Sequence, residues 1–262
     1  MTEPMRVIPG IDELTPGLGR LFLVVGVFDG LHLGHQYLLE HLVTGAGVRD
    51  ARPAVVTFDS HPDEVLTGKA PPLLLDPAER LERLEAAGAE VTVVQHFDAA
   101  LRMNTYEQFI RRIAAGAEIA GFLMTPDSAF GNERRGTPEA VAALGEELGY
   151  DVEVIDALEL DGRPVRSGEI RKAIAAGDLA SAATLLGRPY AVVGNGQEVG
   201  VSRVRVAFDM PVALPPAGEH DVTLEWPDRS KPWAAGAIVG RDGSLTLASI
   251  PFDGRVRVVF GA

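Results

Sequence analysis

The sequence predicts an α/β fold: a parallel, helix-covered sheet followed by a small antiparallel β-barrel. Three observations point there. Short Val-rich runs alternate with helical patterns over most of the chain, a Gly-rich turn joins the first such run to the first helix, and helical periodicity disappears after Tyr190.

Leu21 to Val27 is the first strand, and the apolar pattern from Tyr37 to Val43 is the helix after it. Ala54 to Phe58 repeats the strand signal. Ala78 to Ala87 places Glu, Arg and Leu at helical spacing before the apolar Val91 to Val94. Helices at Tyr106 to Ala117 and Pro138 to Leu148 precede strands at Ile119 to Met124 and Asp151 to Ile155, completing the alternation of a parallel sheet. A last helix is expected over Gly177 to Leu186. Beyond it Val201 to Phe208, Asp221 to Trp226 and Val256 to Phe260 alternate with Gly and Pro clusters, as in a small barrel. Two domains are therefore expected, 1–188 and 189–262.

Composition narrows the function classes. A net charge of −13 argues against a protein that coats nucleic acid, which needs a surplus of Lys and Arg. The chain has no cysteine, so thiol chemistry and thiolate metal sites are excluded, and a reducing cytoplasm is the expected compartment. No secretory signal is expected at the N-terminus, and no run approaches the ~20 apolar residues that cross a bilayer.

The run Gly26-Val27-Phe28-Asp29-Gly30-Leu31-His32-Leu33-Gly34-His35 leaves the end of the first strand and enters the first helix. Ligands bind at such strand ends. Gly30 and Gly34 let backbone approach a phosphate, the helix N-terminus offers free N–H groups, and His32 and His35 can donate to growing negative charge. The rival reading is a tight turn with two incidental histidines. Spacing, location and chemistry together favour a polyphosphate site. A His-based metal site is a weaker rival, because no carboxylate cluster at ligand spacing completes it, so no metal ligands are assigned.

This run resembles the Gly-x-Phe-Asp-Gly-x-His-x-Gly-His signature of the prokaryotic bifunctional riboflavin kinase/FAD synthetase family, in its FMN adenylyltransferase domain. Thr57-Phe58-Asp59-Ser60-His61-Pro62 resembles that family's Thr-Phe-Asp-Pro-His-Pro segment, departing at Ser60. Asp127, Phe130, Gly131, Arg134 and Gly136 fall on a third motif. Ile170-Arg171, Gly177-Asp178-Leu179 and Leu186-Gly187-Arg188-Pro189-Tyr190 resemble the closing segments.

The resemblance implies a Rossmann-like nucleotidylyltransferase domain that moves the adenylyl group of Mg-ATP to FMN, giving FAD and pyrophosphate. It implies catalytic roles for His32 and His35, which stabilise the triphosphate and the leaving pyrophosphate, and for Ser167 and Arg171 on phosphates. Gly26, Phe28, Asp29, Gly30, Gly34 and Asp127 are implied on the nucleotide side, with Asp29 supporting the turn. Phe58, His61 and Phe130 are implied on the flavin side. The expected partners are small molecules, with no nucleic acid and no membrane, Mg²⁺ arriving with ATP; the oligomeric state is not legible.

Three departures bear on this reading. The family's Ser-Ser-Thr is here Arg166-Ser167-Gly168, which removes hydroxyls and adds a cation. Thr125 and Ser128 replace a Gly and an aromatic beside Asp127, which together with Gly168 leaves a different acceptor or nucleotide as an alternative, while the missing hydroxyls leave a non-catalytic binding module as another. Nothing after Tyr190 resembles the family's Gly-Phe-Pro-Thr-Ala-Asn kinase segment. Val193 to Arg205 offers Asn195, Gln197, Glu198 and Ser202 in another order, so the barrel is expected to lack riboflavin kinase chemistry.

Overall fold

The computed structural model describes residues 3–199, 203–226, 231–248, 252 and 254–261. Its elements are β1 (Arg6–Ile8), β2 (Arg20–Val25), α1 (Leu33–Val48), β3 (Arg52–Phe58), α2 (Pro62–Thr67), α3 (Pro77–Ala86), β4 (Val91–Gln95), α4 (Ala99–Met103), α5 (Tyr106–Gly116), β5 (Glu118–Met124), α6 (Pro138–Leu148) and β6 (Asp151–Val154). A short hairpin, β7 (Glu159–Leu160) and β8 (Arg163–Pro164), leads to α7 (Ser167–Ala176) and α8 (Leu179–Leu186). Six strands follow: β9 (Ala191–Glu198), β10 (Arg203–Ala207), β11 (Gly218–Glu225), β12 (Trp233–Val239), β13 (Leu245–Ala248) and β14 (Gly254–Phe260). By packing the chain divides into two units, 1–28 with 34–71 and 80–159, and 29–33 with 72–79 and 160–262.

The first unit is a six-stranded sheet in the order β1-β4-β3-β2-β5-β6, and every pairing in it is parallel. The expected α/β class is thus observed. β3 and β5 are buried along nearly their whole length, as strands covered on both faces must be, and this is why their sequences read as continuous apolar runs. Leu21, Leu23, Val56, Val93, Ile113, Phe122 and Val141 form the core. α5 starts at a capping box in which Thr105 and Gln108 exchange side-chain and backbone hydrogen bonds.

The second unit holds a closed antiparallel barrel in the order β10-β13-β12-β11-β14-β9. Strict alternation along Val256, Val258 and Phe260 sends these side chains into the barrel core. Ile170 and Ile174 of α7, with Ala182 and Leu186 of α8, join that same core, so these helices pack with the barrel although the sequence reading groups them before residue 188. Tyr190 is fully buried, its ring stacked on Phe260 at 6.0 Å and its hydroxyl donating to the Ala213 carbonyl.

One expected helix needs correcting. Gly177 is not its start but the left-handed cap of α7 (φ +79°), and α8 begins at Leu179 with the Asp178 side chain accepting from the Ser181 N–H. Val201 and Ser202, from the expected strand Val201 to Phe208, lie outside the described residues; Arg203–Ala207 forms β10, and Phe208 falls after it.

Candidate active site

In the sheet unit the chain leaves the C-terminal ends of β2, β3 and β5 at Gly26, Asp59 and Thr125, on one edge of a parallel sheet. That edge is where α/β folds bind ligands. Gly26 donates its N–H to the Val56 carbonyl at 3.0 Å, and a Cβ there would meet the Phe28 ring at 3.1 Å. Phe28 itself is buried with φ +54°, an uncommon backbone conformation for a side chain of that size, and its ring lies 5.1 Å from the His35 ring in the first turn of α1.

Arg80 holds this edge together. Its buried guanidinium donates to the Val27 carbonyl at 3.0 Å and to the Phe58 carbonyl at 2.7 Å, tying the chain beyond β2 to the end of β3. Thr57 adds a hydroxyl bond to the same Val27 carbonyl at 3.1 Å.

The residues expected on the flavin side divide by environment. The rings of Phe58 and Phe130 are taken up in packing, Phe58 edge-on to Phe97 at 5.4 Å and Phe130 against Phe109 and Phe122 at 5.7 and 6.1 Å. His61 caps α2, its Nδ1 accepting from the Asp63 N–H at 3.2 Å. Asp127 is exposed, and its carbonyl accepts from Arg134 at 3.2 Å. The departures at Thr125 and Ser128 close on each other, with the Ser128 hydroxyl 3.0 Å from the Thr125 N–H and 2.9 Å from its Oγ1.

In the barrel unit Asp29, Gly30, His32, Ser167 and Arg171 come together. The Asp29 carboxylate is buried and accepts the N–H groups of Leu74 (2.9 Å) and Leu75 (3.2 Å) and the Arg171 guanidinium. Arg171 Nε donates to the Pro72 carbonyl at 2.8 Å, and the Ser167 hydroxyl donates to the Asp29 carbonyl at 2.9 Å. Asp29 therefore supports the turn, by binding the 72–75 segment as well as α7. Gly30 sits at φ +82°, and a Cβ there would lie 3.0 Å from Leu74, so glycine is required by both backbone and packing.

His32 is buried immediately before α1. Burial, then the positive charges of Arg188 and Arg171, push its pKa down to about 4, so the imidazole is neutral at physiological pH. Arg188 was read from the sequence only as part of a motif. In the structure it donates to the carbonyls of Gly30 (2.6 Å), Leu31 (3.2 Å) and Leu186 (3.3 Å). Arg80 was not singled out at all, since an arginine within Ala-Glu-Arg-Leu-Glu-Arg reads as a solvated helix charge.

Comparison with known proteins adds a family to this geometry. The model of the FAD synthetase family matches residues 17–169, more than half of the chain. The bifunctional riboflavin kinase/FMN adenylyltransferase of Haemophilus influenzae is 33% identical over 201 residues, 75% of this chain and 65% of that protein. The Escherichia coli K12 protein of the same description is 32% identical over 75% of this chain and 64% of its own length. The chain thus spans just under two thirds of these two relatives, whereas with the Pseudomonas fluorescens counterpart, at 29% identity, the match covers 98% of this chain and 88% of the relative. A crystal structure of a macrolide-efflux protein from Streptococcus pneumoniae superposes with a TM-score of 0.80 at 23% identity, covering 99% of this chain and 90% of the other, a likeness of fold. With its Gly-x-Phe-Asp-Gly-x-His-x-Gly-His run inside the matched segment, the chain belongs to the FAD synthetase family.

Proposed function

We propose that this protein is an FMN adenylyltransferase: it transfers the adenylyl group of Mg-ATP to the phosphate of FMN, forming FAD and pyrophosphate. The observation that carries the reading is the His32-Leu33-Gly34-His35 run at the start of α1, within the segment that the family model matches. A phosphate oxygen of FMN forms the new bond to the α-phosphorus of ATP. The bond from that phosphorus to the bridging oxygen breaks, and the electron pair leaves with pyrophosphate.

Such a reaction is catalysed by positioning and charge stabilisation. His32 begins neutral and offers one N–H; the negative charge of a polyphosphate beside it raises its proton affinity, so its interaction strengthens as charge collects on the leaving group. His35 serves the same phosphates from the first turn of α1, where Gly34 and the helix N-terminus present backbone N–H groups. Arg171 and Ser167 act from the positions they hold around Asp29, Arg171 adding positive potential. Asp127 takes the nucleotide side and His61 the flavin side, with Phe58 and Phe130 shaping that side from the packed sheet.

The Mg²⁺ of this reading would arrive with the nucleotide, since Mg²⁺ is commonly held by substrate phosphates. No helix among the described residues is long and apolar enough to cross a membrane.

The same reading denies the barrel riboflavin kinase activity. Asn195, Gly196 and Gln197 pair with β14 or β10 as ordinary ladder positions of β9, so this stretch is regular sheet where a kinase needs a polar loop to hold metal and phosphates. Incubation with riboflavin and Mg-ATP should give neither FMN nor FAD, while FMN with Mg-ATP gives FAD and pyrophosphate by chromatography. FMN made from riboflavin by the full chain would defeat the kinase part; absence of FAD from FMN despite ATP binding would defeat the transferase part.

A further inference from the structure

We infer that Arg188 is a positioning residue of the transfer reaction, fixing the backbone that presents His32. The inference rests on His32 acting in the proposed reaction. Arg188 follows α8 and is half-buried. One terminal nitrogen donates to the Gly30 carbonyl at 2.6 Å, and the other to the carbonyls of Leu31 at 3.2 Å and Leu186 at 3.3 Å. A planar guanidinium can bracket carbonyls in this way; the compact ammonium of lysine cannot.

Two of the bracketed residues, Gly30 and Leu31, have positive φ and need their backbone held. Gly30 has φ +82° and Leu31 has φ +39°, the latter in a region that side chains with a Cβ seldom occupy. Such a conformation persists only when its surroundings fix it. His32 is the next residue, so the direction of its ring depends on the peptide that Arg188 grips. Arg188 also places a positive charge by that ring, together with Arg171, whose own charge is compensated by Asp29. Arg188 therefore fixes the aim of His32 and adds its charge to burial in lowering the proton affinity of the ring, without any need to touch substrate.

The test is a titration of the His32 ring by proton NMR in the full chain, for the wild type, Arg188→Met and Arg188→Lys, alongside steady-state FAD formation. The wild-type ring should titrate at about pH 4. In Arg188→Met the midpoint should rise by about one pH unit, because a nearby cation is removed while burial remains. Turnover should fall by roughly 10-fold or more with the KM for ATP little changed, as expected when a transition-state contact is misaligned. Arg188→Lys should keep the low midpoint, since the charge stays, but recover only part of the turnover.

A merely structural role would move neither the titration nor the turnover at constant melting temperature. An unchanged His32 midpoint in a folded Arg188→Met would overturn the inference, as would full turnover in that variant. Should Arg188→Met not fold, Arg188→Lys decides: wild-type turnover there would sink the bracket. If the ring responds as expected while wild type makes no FAD, Arg188 still positions His32 and only the proposed reaction fails.

Discussion

The two units hold the backbone on either side of Asp29 with arginines, but by different chemistry. In the sheet unit the buried Arg80 donates to two backbone carbonyls, those of Val27 and Phe58. In the barrel unit Arg171 faces a buried carboxylate, Asp29, which in turn binds two backbone N–H groups. A carbonyl clamp and a charge pair fix the chain equally well in geometry. They differ in what their loss leaves behind: a broken pair strands a buried charge, and a broken clamp strands the two carbonyls.

The largest effect should follow from Asp29→Ala. It leaves Arg171 uncompensated and the N–H groups of Leu74 and Leu75 without their acceptor, so urea unfolding should show a loss of about 3–5 kcal/mol. A loss below about 1 kcal/mol would mean that the pair is no stronger than an exposed one.

Next comes the acid response of His32. Its folded pKa lies below the ordinary 6.5, at about 4, so the unfolded chain takes up a proton first as pH falls. The sign follows: stability is full above pH 6.5 and declines as pH drops towards 4, by up to roughly 3 kcal/mol for this group. His32→Asn should flatten that part of the stability profile. An identical acid profile in the variant would show that His32 is not held neutral by its surroundings.

Arg80→Met should cost less than Asp29→Ala, about 2 kcal/mol, for the hydrogen bonds it removes from the carbonyls of Val27 and Phe58. The sharper readout is hydrogen exchange, which should speed up beyond β2 and at the end of β3 and leave the barrel strands unaffected.

The contrast also explains what the sequence makes legible. Continuous apolar runs such as Ala54 to Phe58 and Ile119 to Met124 announce central parallel strands, because burial on both faces leaves no room for polar residues. β1 is only three residues long at the sheet edge, and β12, Trp-Ala-Ala-Gly-Ala-Ile-Val, is too rich in Ala and Gly to read as a strand. Of the site, the histidines and glycines are visible because their chemistry and spacing are local. The roles of Arg80 and Arg188 are not, because they work through carbonyls roughly 20 to 160 residues away in the chain, and a carbonyl has no residue-type signature.

The smallest effect belongs to the exposed pair of the sheet unit, His96 and Asp59, 2.7 Å apart. The hydrogen bond to the Asp59 carboxylate raises the His96 pKa; for Asp59 burial is the largest single influence and raises its pKa, but the bond and charge of His96 and the N–H groups of Phe97 and Ser60 together lower it. The contribution of His96 is therefore complete below its unfolded pKa and disappears as pH rises through its folded value. His96→Ala should alter stability detectably only on the acid side of neutrality and at low salt; an equal loss at alkaline pH would contradict the pairing.

The central claim is adenylyl transfer at His32 and His35, and one measurement tests it most directly. Purified full-length protein, Mg-ATP and FMN are followed for FAD and pyrophosphate, beside His32→Ala and His35→Ala. The account predicts stoichiometric FAD and pyrophosphate from the wild type, with turnover reduced ~10²–10³-fold in each variant and ATP binding largely kept. Equal turnover in wild type and variants, or ATP binding with no FAD from any of them, would contradict it.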